Sequence, residues 1–368
     1  MVDRKETVIP LLDNERWWGG AVNDGMKMPF GAHSFERDLA LGLDMNQGVP
    51  LLISNRGRYV WSEAPFRFTF TEGRLSVWSK ADVRLGWHGD TLKEAFLFAS
   101  REFFPPDGAM PEPLLFRAPQ YNLWIEMMYG PSQDKVIEYA RQLLDNGFPS
   151  GVLMIDDNWH DSYGSFDFHP GRFPDPASMT DTLHRMGFQV MLWVSPFITP
   201  DTVTFRMLRD KGFLLKDRTG KIAIREWWSG YSALLDCTNE AATAWLRGRL
   251  DDLRSRYGID GFKFDGGDPD FYEDTDLSAK PADRNRHCEA WGEVGLSYSL
   301  NEYRACWKLA GRAIVQRLKD KYHSWEQDGL ATLIPCALVQ GLAGYAFNCP
   351  DMIGGGDIQS FIHPDFSF

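Results

Sequence analysis

The sequence predicts an α/β fold, a (β/α)8-type (TIM) barrel preceded by an antiparallel β region, and three observations carry that expectation. From residue 117 onward, short apolar runs alternate with amphipathic stretches of helical length. Repetition of such βα units implies a parallel sheet, and their number favours closure into a barrel over a doubly wound sheet. Several of the apolar runs also end in carboxylates, and a parallel barrel does its chemistry at the C-terminal ends of its strands.

Residues 1–116 lack strong helical periodicity. Val49–Ser54, Phe66–Thr71 and Arg74–Ser79 read as strands separated by Gly, Asn and Pro turns, as in the remnant of a sandwich. Leu92–Phe104 reads as a linking helix, and the proline-rich Pro105–Pro113 marks the boundary. The barrel is expected over 117–368. Its strands are read at Tyr121–Met128, Gly151–Asp156, Gln189–Pro196 and Gly261–Asp265, with Ala313–Arg317 and Gly344–Cys349 further on. Helices are read at Gln133–Asn146, Ala177–Met186, Pro200–Lys211, Asn239–Arg256 and Asn301–Gly311. At most seven barrel strands are expected, so the barrel should lack its last unit. No GxGxxG or P-loop opens a helix, which removes dinucleotide and nucleotide readings.

The formal net charge is −12, from 51 acidic against 39 basic residues. A negative surface without a basic stripe disfavours nucleic acid and anionic membranes as partners. No apolar run approaches the roughly 20 residues that span a bilayer, and no apolar leader is visible at the start. Five widely spaced cysteines without a CxxC fit reduced thiols in a cytoplasm. The acidic loop of Asp268, Asp270 and Glu273–Asp276 lacks calcium-loop spacing, and a solvated loop is expected there. The eight histidines form no HExxH, so neither a metal nor a cofactor is expected. Fourteen Trp and twenty-five Phe lean toward a carbohydrate partner, although core packing accounts for most of them. Trp17-Trp18 and Trp227-Trp228 could serve as sugar platforms, with core packing the expected use. The sequence does not set the oligomeric state.

The polar residues at strand ends are the candidate site. The second strand ends in Asp156-Asp157-Asn158-Trp159, the third runs through Trp193 to Ser195, and the fourth reads Lys263-Phe264-Asp265-Gly266-Gly267-Asp268. Lys263 stands two residues before Asp265, hence on the same side of the strand. A lysine there should favour the ionised carboxylate, which suits a nucleophile; the plainer alternative is a buried ion pair closing the barrel. Late in the chain come Trp325-Glu326-Gln327-Asp328 and Asp351. Glycoside hydrolysis needs two carboxyl groups flanking the bond, and Asp265 and Asp328 come from strand ends well separated in sequence.

The run Gly258-Ile259-Asp260-Gly261-Phe262-Lys263-Phe264-Asp265-Gly266-Gly267-Asp268 resembles the nucleophile strand of glycoside hydrolase family 31. Asp351-Met352-Ile353-Gly354-Gly355 resembles that family's Asp-Ile-Gly-Gly element. With Pro350 before it, the Met form is most similar to the branch containing the myogenesis-regulating glycosidases and bacterial α-galactosidases. The resemblance covers roughly residues 117 to 357. It implies a retaining α-glycoside hydrolase with Asp265 as nucleophile and Asp328 as general acid/base. Asp156, Asp157, Trp193, Lys263, Arg317, Trp325 and Asp351 are then the substrate-binding residues. The acid/base segment reads Trp-Glu-Gln-Asp where many α-glucosidases have Trp-Ser/Gly-Gly-Asp. Cys349-Pro350 likewise stands where they have Ser-His or Gly-Ser. The implied substrate is an oligosaccharide or glycoside with a terminal α-linked sugar, foremost an α-galactoside, with α-glucosides or α-xylosides as the alternative. Outside that class stand a non-catalytic carbohydrate-binding fragment and a barrel lyase or isomerase using Lys263.

Overall fold

The computed structural model describes residues 5–41, 46–322, 324–326 and 329–351. The chain divides into two compact units, one of Met1–Ala109, Asp268–Asp270 and Arg304–Phe368, the other of Met110–Gly267 and Phe271–Tyr303.

The second unit carries five parallel strands, ordered in space as Gln120–Asn122, Val152–Ile155, Gln189–Val194, Gly261–Phe264 and Asn301–Tyr303. Between them run the helices Gln133–Asp145, Pro176–Arg185, Val203–Asp210, Glu240–Tyr257 and Arg284–Gly295. Local chemistry sets the helix ends. Asp175 caps Pro176–Arg185 by accepting from Ser178 N–H at 3.0 Å, with Pro176 in the first turn. Asn239 caps Glu240–Tyr257, which stops where Gly258 turns left-handed at φ 69°. Phe262 and Phe264 of the fourth strand pack on Tyr298 and Trp291 on the helix-facing side. The intervening Lys263 therefore faces the other way, as the two-residue period of a strand requires.

The first unit is largely antiparallel. One sheet orders Lys5–Pro10, Arg74–Ser79, Phe66–Thr71 and Phe35–Asp38. Alternation in Phe66–Thr71 turns Phe66, Phe68 and Phe70 into a buried face against Phe30. A second sheet is built on Gln47–Ser54, buried along its whole length. The helix Leu92–Phe103 opens with a capping box. Thr91 accepts from Glu94 N–H at 3.3 Å, and the Glu94 carboxylate takes Asp90 N–H at 2.9 Å. This unit also holds a parallel pair, Val315–Arg317 with Phe347–Cys349.

Two sequence expectations are corrected. Tyr121–Met128 is a strand only through Asn122, whose side chain accepts from Trp124 N–H at 2.8 Å and starts a single helical turn at Trp124–Met127. Asn301–Gly311 is not helical. It forms the strands Asn301–Tyr303 and Cys306–Trp307, and Lys308 and Leu309 adopt positive φ. Ladder pairing to Gly261–Phe264 and to Gln47–Ser54 overrides the helix formers there.

Candidate active site

Parallel register builds the site. Trp193 lies opposite Lys263, and Lys263 opposite Glu302. Asp156 follows directly on Ile155, which pairs with Leu192, so it extends the same layer. Neighbours in a parallel ladder share a face, so strand pairing alone gathers Asp156, Trp193, Lys263 and Glu302.

Hydrogen bonds then fix each group. The Asp265 carboxylate takes Trp193 Nε1–H on Oδ2 at 2.6 Å and Gly266 N–H on Oδ1 at 2.9 Å. Both oxygens act as acceptors, and hydrogen bonds of this kind favour the charged form of a carboxyl group. Trp193 is itself fixed from behind, because Trp159 Nε1–H donates to its carbonyl at 2.7 Å. Asp156 Oδ2 accepts from Lys263 Nζ at 2.7 Å and from Asn122 Nδ2 at 2.8 Å, and Asp157 N–H reaches Oδ1 at 2.8 Å. Lys263 thus pairs with the second-strand carboxylate across the sheet, besides lying two residues before Asp265 on its own strand.

Asp157 takes Tyr163 O–H at 3.1 Å and Asn158 N–H at 2.6 Å. Burial, then the neighbouring Asp156 carboxylate, pushes its pKa up to about 7. Burial and the same Asp157 charge also raise the Tyr163 phenol. His160, stacked 6.0 Å from Trp193, is pushed down to about 3 by burial and by Arg172, so it stays neutral.

The other unit holds a second charged system. Arg317 Nη1 lies 2.8 Å from Asp351 Oδ1 and also pairs with Asp320. Asp320 in turn receives Arg304 at 3.4 Å, and Arg304 Nε reaches Asp268 at 3.1 Å. Lys321, its pKa lowered by burial, donates to the Pro350 carbonyl at 3.0 Å. The acidic loop is therefore not simply solvated. Asp268 is buried against Arg304, and Asp276 is buried against Arg225.

Of the residues expected at the site, Asp156, Asp157, Trp193, Lys263 and Asp265 are brought together in the unit of five parallel strands. Arg317 and Asp351 pair in the other unit. Trp325 is 84% exposed, and Asp328 lies outside the described residues, as do Met352 to Gly355. Sequence reading missed Asn122, Tyr163, Glu302, Arg304 and Asp320. Glu302 becomes legible once Asn301–Tyr303 is recognised as a strand, since alternation then turns it away from Tyr303, whose ring stacks on Phe264. Among the described residues no group of three or more His, Cys, Asp or Glu is arranged to hold a metal ion, and no described helix is long and apolar enough to cross a membrane.

Parallel strands alternating with helices, with carboxylates at their C-terminal ends, are the arrangement of a (β/α)-barrel enzyme. The family model for the glycosyl hydrolases family 31 TIM-barrel domain matches residues 114–355, and the chain belongs to that family. It is 32% identical over 274 residues to the myogenesis-regulating glycosidase of Mus musculus, covering 73% of this chain and 38% of that protein. It is 24% identical over 238 residues to the α-xylosidase XylQ of Lactiplantibacillus pentosus, covering 60% of this chain and 30% of that one. The chain thus spans about a third of the length of these relatives. Among solved structures, a family 31 dextranase of Flavobacterium johnsoniae superposes with a TM-score of 0.78 at 18% identity, covering 93% of this chain and 46% of that one. That likeness concerns the fold.

Proposed function

We propose that this chain carries the catalytic barrel of a retaining α-glycoside hydrolase, with Asp265 as nucleophile and Asp328 as general acid/base. The observation that carries the reading is the hold on Asp265. Its carboxylate ends the fourth strand, pinned on both oxygens by Trp193 and Gly266. A fixed, ionised carboxylate can attack the anomeric carbon without reorganising at the moment of reaction. Attack forms a β-glycosyl ester as Asp328 gives its proton to the departing oxygen. Asp328 then takes a proton from water, and the water oxygen displaces Asp265 to restore the α-anomer. Asp156 with Lys263, and Asp157 with Tyr163, supply acceptors and donors for sugar hydroxyls. Trp193 walls the bound ring, and Arg317, Trp325 and Asp351 are proposed as further contacts.

The preferred sugar in this reading is α-galactose. It rests on Pro350-Asp351-Met352-Ile353-Gly354-Gly355, the form of the element associated with the α-galactosidase branch. α-Xylosides and α-glucosides are the second reading, supported by the similarity to an α-xylosidase. The five unbridged cysteines support a reducing, cytoplasmic compartment.

The test is product stereochemistry with aryl α-galactosides, α-glucosides and α-xylosides, followed by NMR at early times. The α-anomer should appear first from the substrate that turns over. First appearance of the β-anomer contradicts retention, and turnover of none of them favours the non-catalytic carbohydrate-binding reading.

A further inference from the structure

The unit that holds the alternating charges also holds a run of buried amides, and the two meet at the same residues. Gln47 opens the strand Gln47–Ser54 and is 1% exposed. Its Nε2 donates to the Arg304 carbonyl at 2.8 Å and also to the Arg317 carbonyl. Its Oε1 accepts from Gln340 Nε2 at 2.7 Å, and Gln340 sits fully buried on the helix Leu333–Leu342. Gln340 Nε2 gives its other hydrogen to the Gln316 carbonyl at 3.2 Å, while its Oε1 accepts from Asn348 Nδ2 at 2.8 Å. Every side-chain N–H of both glutamines is used, and turning either amide over would set donor against donor and acceptor against acceptor.

A buried amide is costly unless all its partners are present, and a fully satisfied network of amides makes its surroundings rigid. One plain use is to satisfy carbonyls where the strand ladders end. The side chains of the same two arginines point to a second use. Arg304 Nη1 reaches Asp320 Oδ2 at 3.4 Å, and Arg317 Nη1 pairs with Asp320 Oδ1. One amide nitrogen thus spans the two backbones, and one carboxylate spans the two guanidiniums. Gln47, Arg304, Asp320 and Arg317 close into a four-sided frame. Its inner corner, Gln47, is buried, and its outer corner, Asp320, is 37% exposed. A shift of either carbonyl would carry a guanidinium off its own oxygen of Asp320, and would draw Arg317 away from Asp351, which it meets at 2.8 Å.

We propose that Gln47 is a positioning residue, whose amide sets the spacing of Arg304 and Arg317 and so the seat of the Asp320 carboxylate and the aim of Arg317. Gln340 keeps the Gln47 amide turned the right way. Only the step from Arg317 to a sugar rests on the function proposed above. The frame itself does not.

The test reads the arginines directly. The 368-residue chain is made with isotope-labelled arginine, and water exchange of the Arg304 and Arg317 Nε–H groups is followed by NMR, with Arg304→Lys and Arg317→Lys to assign them. Arg58, whose Nε–H donates to Glu15 at 3.0 Å in the same unit, is the internal control. Gln47→Met keeps the length and removes both donors. Exchange at Arg304 and Arg317 should quicken roughly 10-fold or more, the effect of losing two hydrogen bonds of ordinary strength. Arg58 should stay within about twofold. Gln340→Met should move the same two signals in the same direction by less, and it decides the matter if Gln47→Met does not fold. Unchanged exchange at both arginines, or an equal rise at Arg58, overturns the positioning role. Kinetics on aryl α-galactosides, α-glucosides and α-xylosides separate the two ideas. A KM raised by Gln47→Met with kcat kept ties the frame to the sugar. Faster arginine exchange with KM unchanged keeps the frame and removes Arg317 as a sugar contact. Faster exchange in a chain that turns over none of them keeps the frame and counts against the hydrolase.

Discussion

The two charged systems of this molecule are built on opposite plans. In the unit of five parallel strands, three aspartates and a glutamate (Asp156, Asp157, Asp265 and Glu302) are buried at one sheet end, where Lys263 pairs with Asp156. In the other unit, Asp268, Arg304, Asp320, Arg317 and Asp351 alternate in sign from each residue to the next. In an alternating chain every carboxylate faces a guanidinium, which serves to hold a residue such as Arg317 still. In the first cluster carboxyl groups adjoin one another, and burial, then the neighbouring Asp156 carboxylate, raises Asp157 to about 7. A carboxyl group perturbed by burial and a like-charged neighbour, at the C-terminal end of parallel strands, is where chemistry is expected, so the first cluster is the one assigned to it.

Substitutions in the two systems should therefore differ in kind. Asp265→Asn keeps the shape and removes the nucleophile, so turnover should fall by roughly 10⁴-fold or more, with little change in unfolding. Comparing initial rates with a denaturant melt checks both halves. Lys263→Met leaves Asp156 buried without its cation and should destabilise the fold by about 3–5 kcal/mol, read from the urea midpoint. Trp193→Phe removes one N–H from a charged acceptor, worth about 1.5–3 kcal/mol, so kcat should drop roughly 10- to 150-fold while the aromatic wall is kept. Loss in KM alone would assign Trp193 to packing.

Asp157 gives a pH signature. Folding raises its pKa from 3.8 to about 7, so between these values the folded state keeps a proton that the unfolded chain has released. Its contribution is full below pH 3.8 and is lost as pH rises to about 7. Asp157→Asn should flatten that part of the curve of Tm against pH; an unchanged slope would show that Asp157 titrates normally. The smallest effect belongs to the alternating chain. Asp320 is 37% exposed, and Asp320→Asn should cost less than about 1 kcal/mol in the same melt. A larger loss would erase the contrast between the systems.

Much of the first cluster was legible because buried parallel strands are short apolar runs, and the polar residue ending each run stands out. Asp156, Trp193, Lys263 and Asp265 were found in that way. Lys263 was read against Asp265, two residues along its own strand, whereas its 2.7 Å partner Asp156 lies two strands away, which only register reveals. Glu302 was lost with its strand, since Asn301–Gly311 is rich in helix formers and its extended form is imposed by pairing. The alternating chain joins residues from Asp268 to Asp351, and no local spacing encodes such partners. The hairpin Ile224–Leu234 was missed too, so Trp227 and Trp228 were weighed as one pair, sugar platform against core, although only the first is buried.

The central claim is that Asp265 bonds covalently to the sugar. Incubating the 368-residue chain with 5-fluoro-α-galactosyl, 5-fluoro-α-glucosyl or 5-fluoro-α-xylosyl fluoride should trap the ester, and peptide mass spectrometry should place one glycosyl unit on Asp265. A label on Asp156, Asp157 or Glu302, or turnover of the matching α-glycoside with no label at all, would contradict the account.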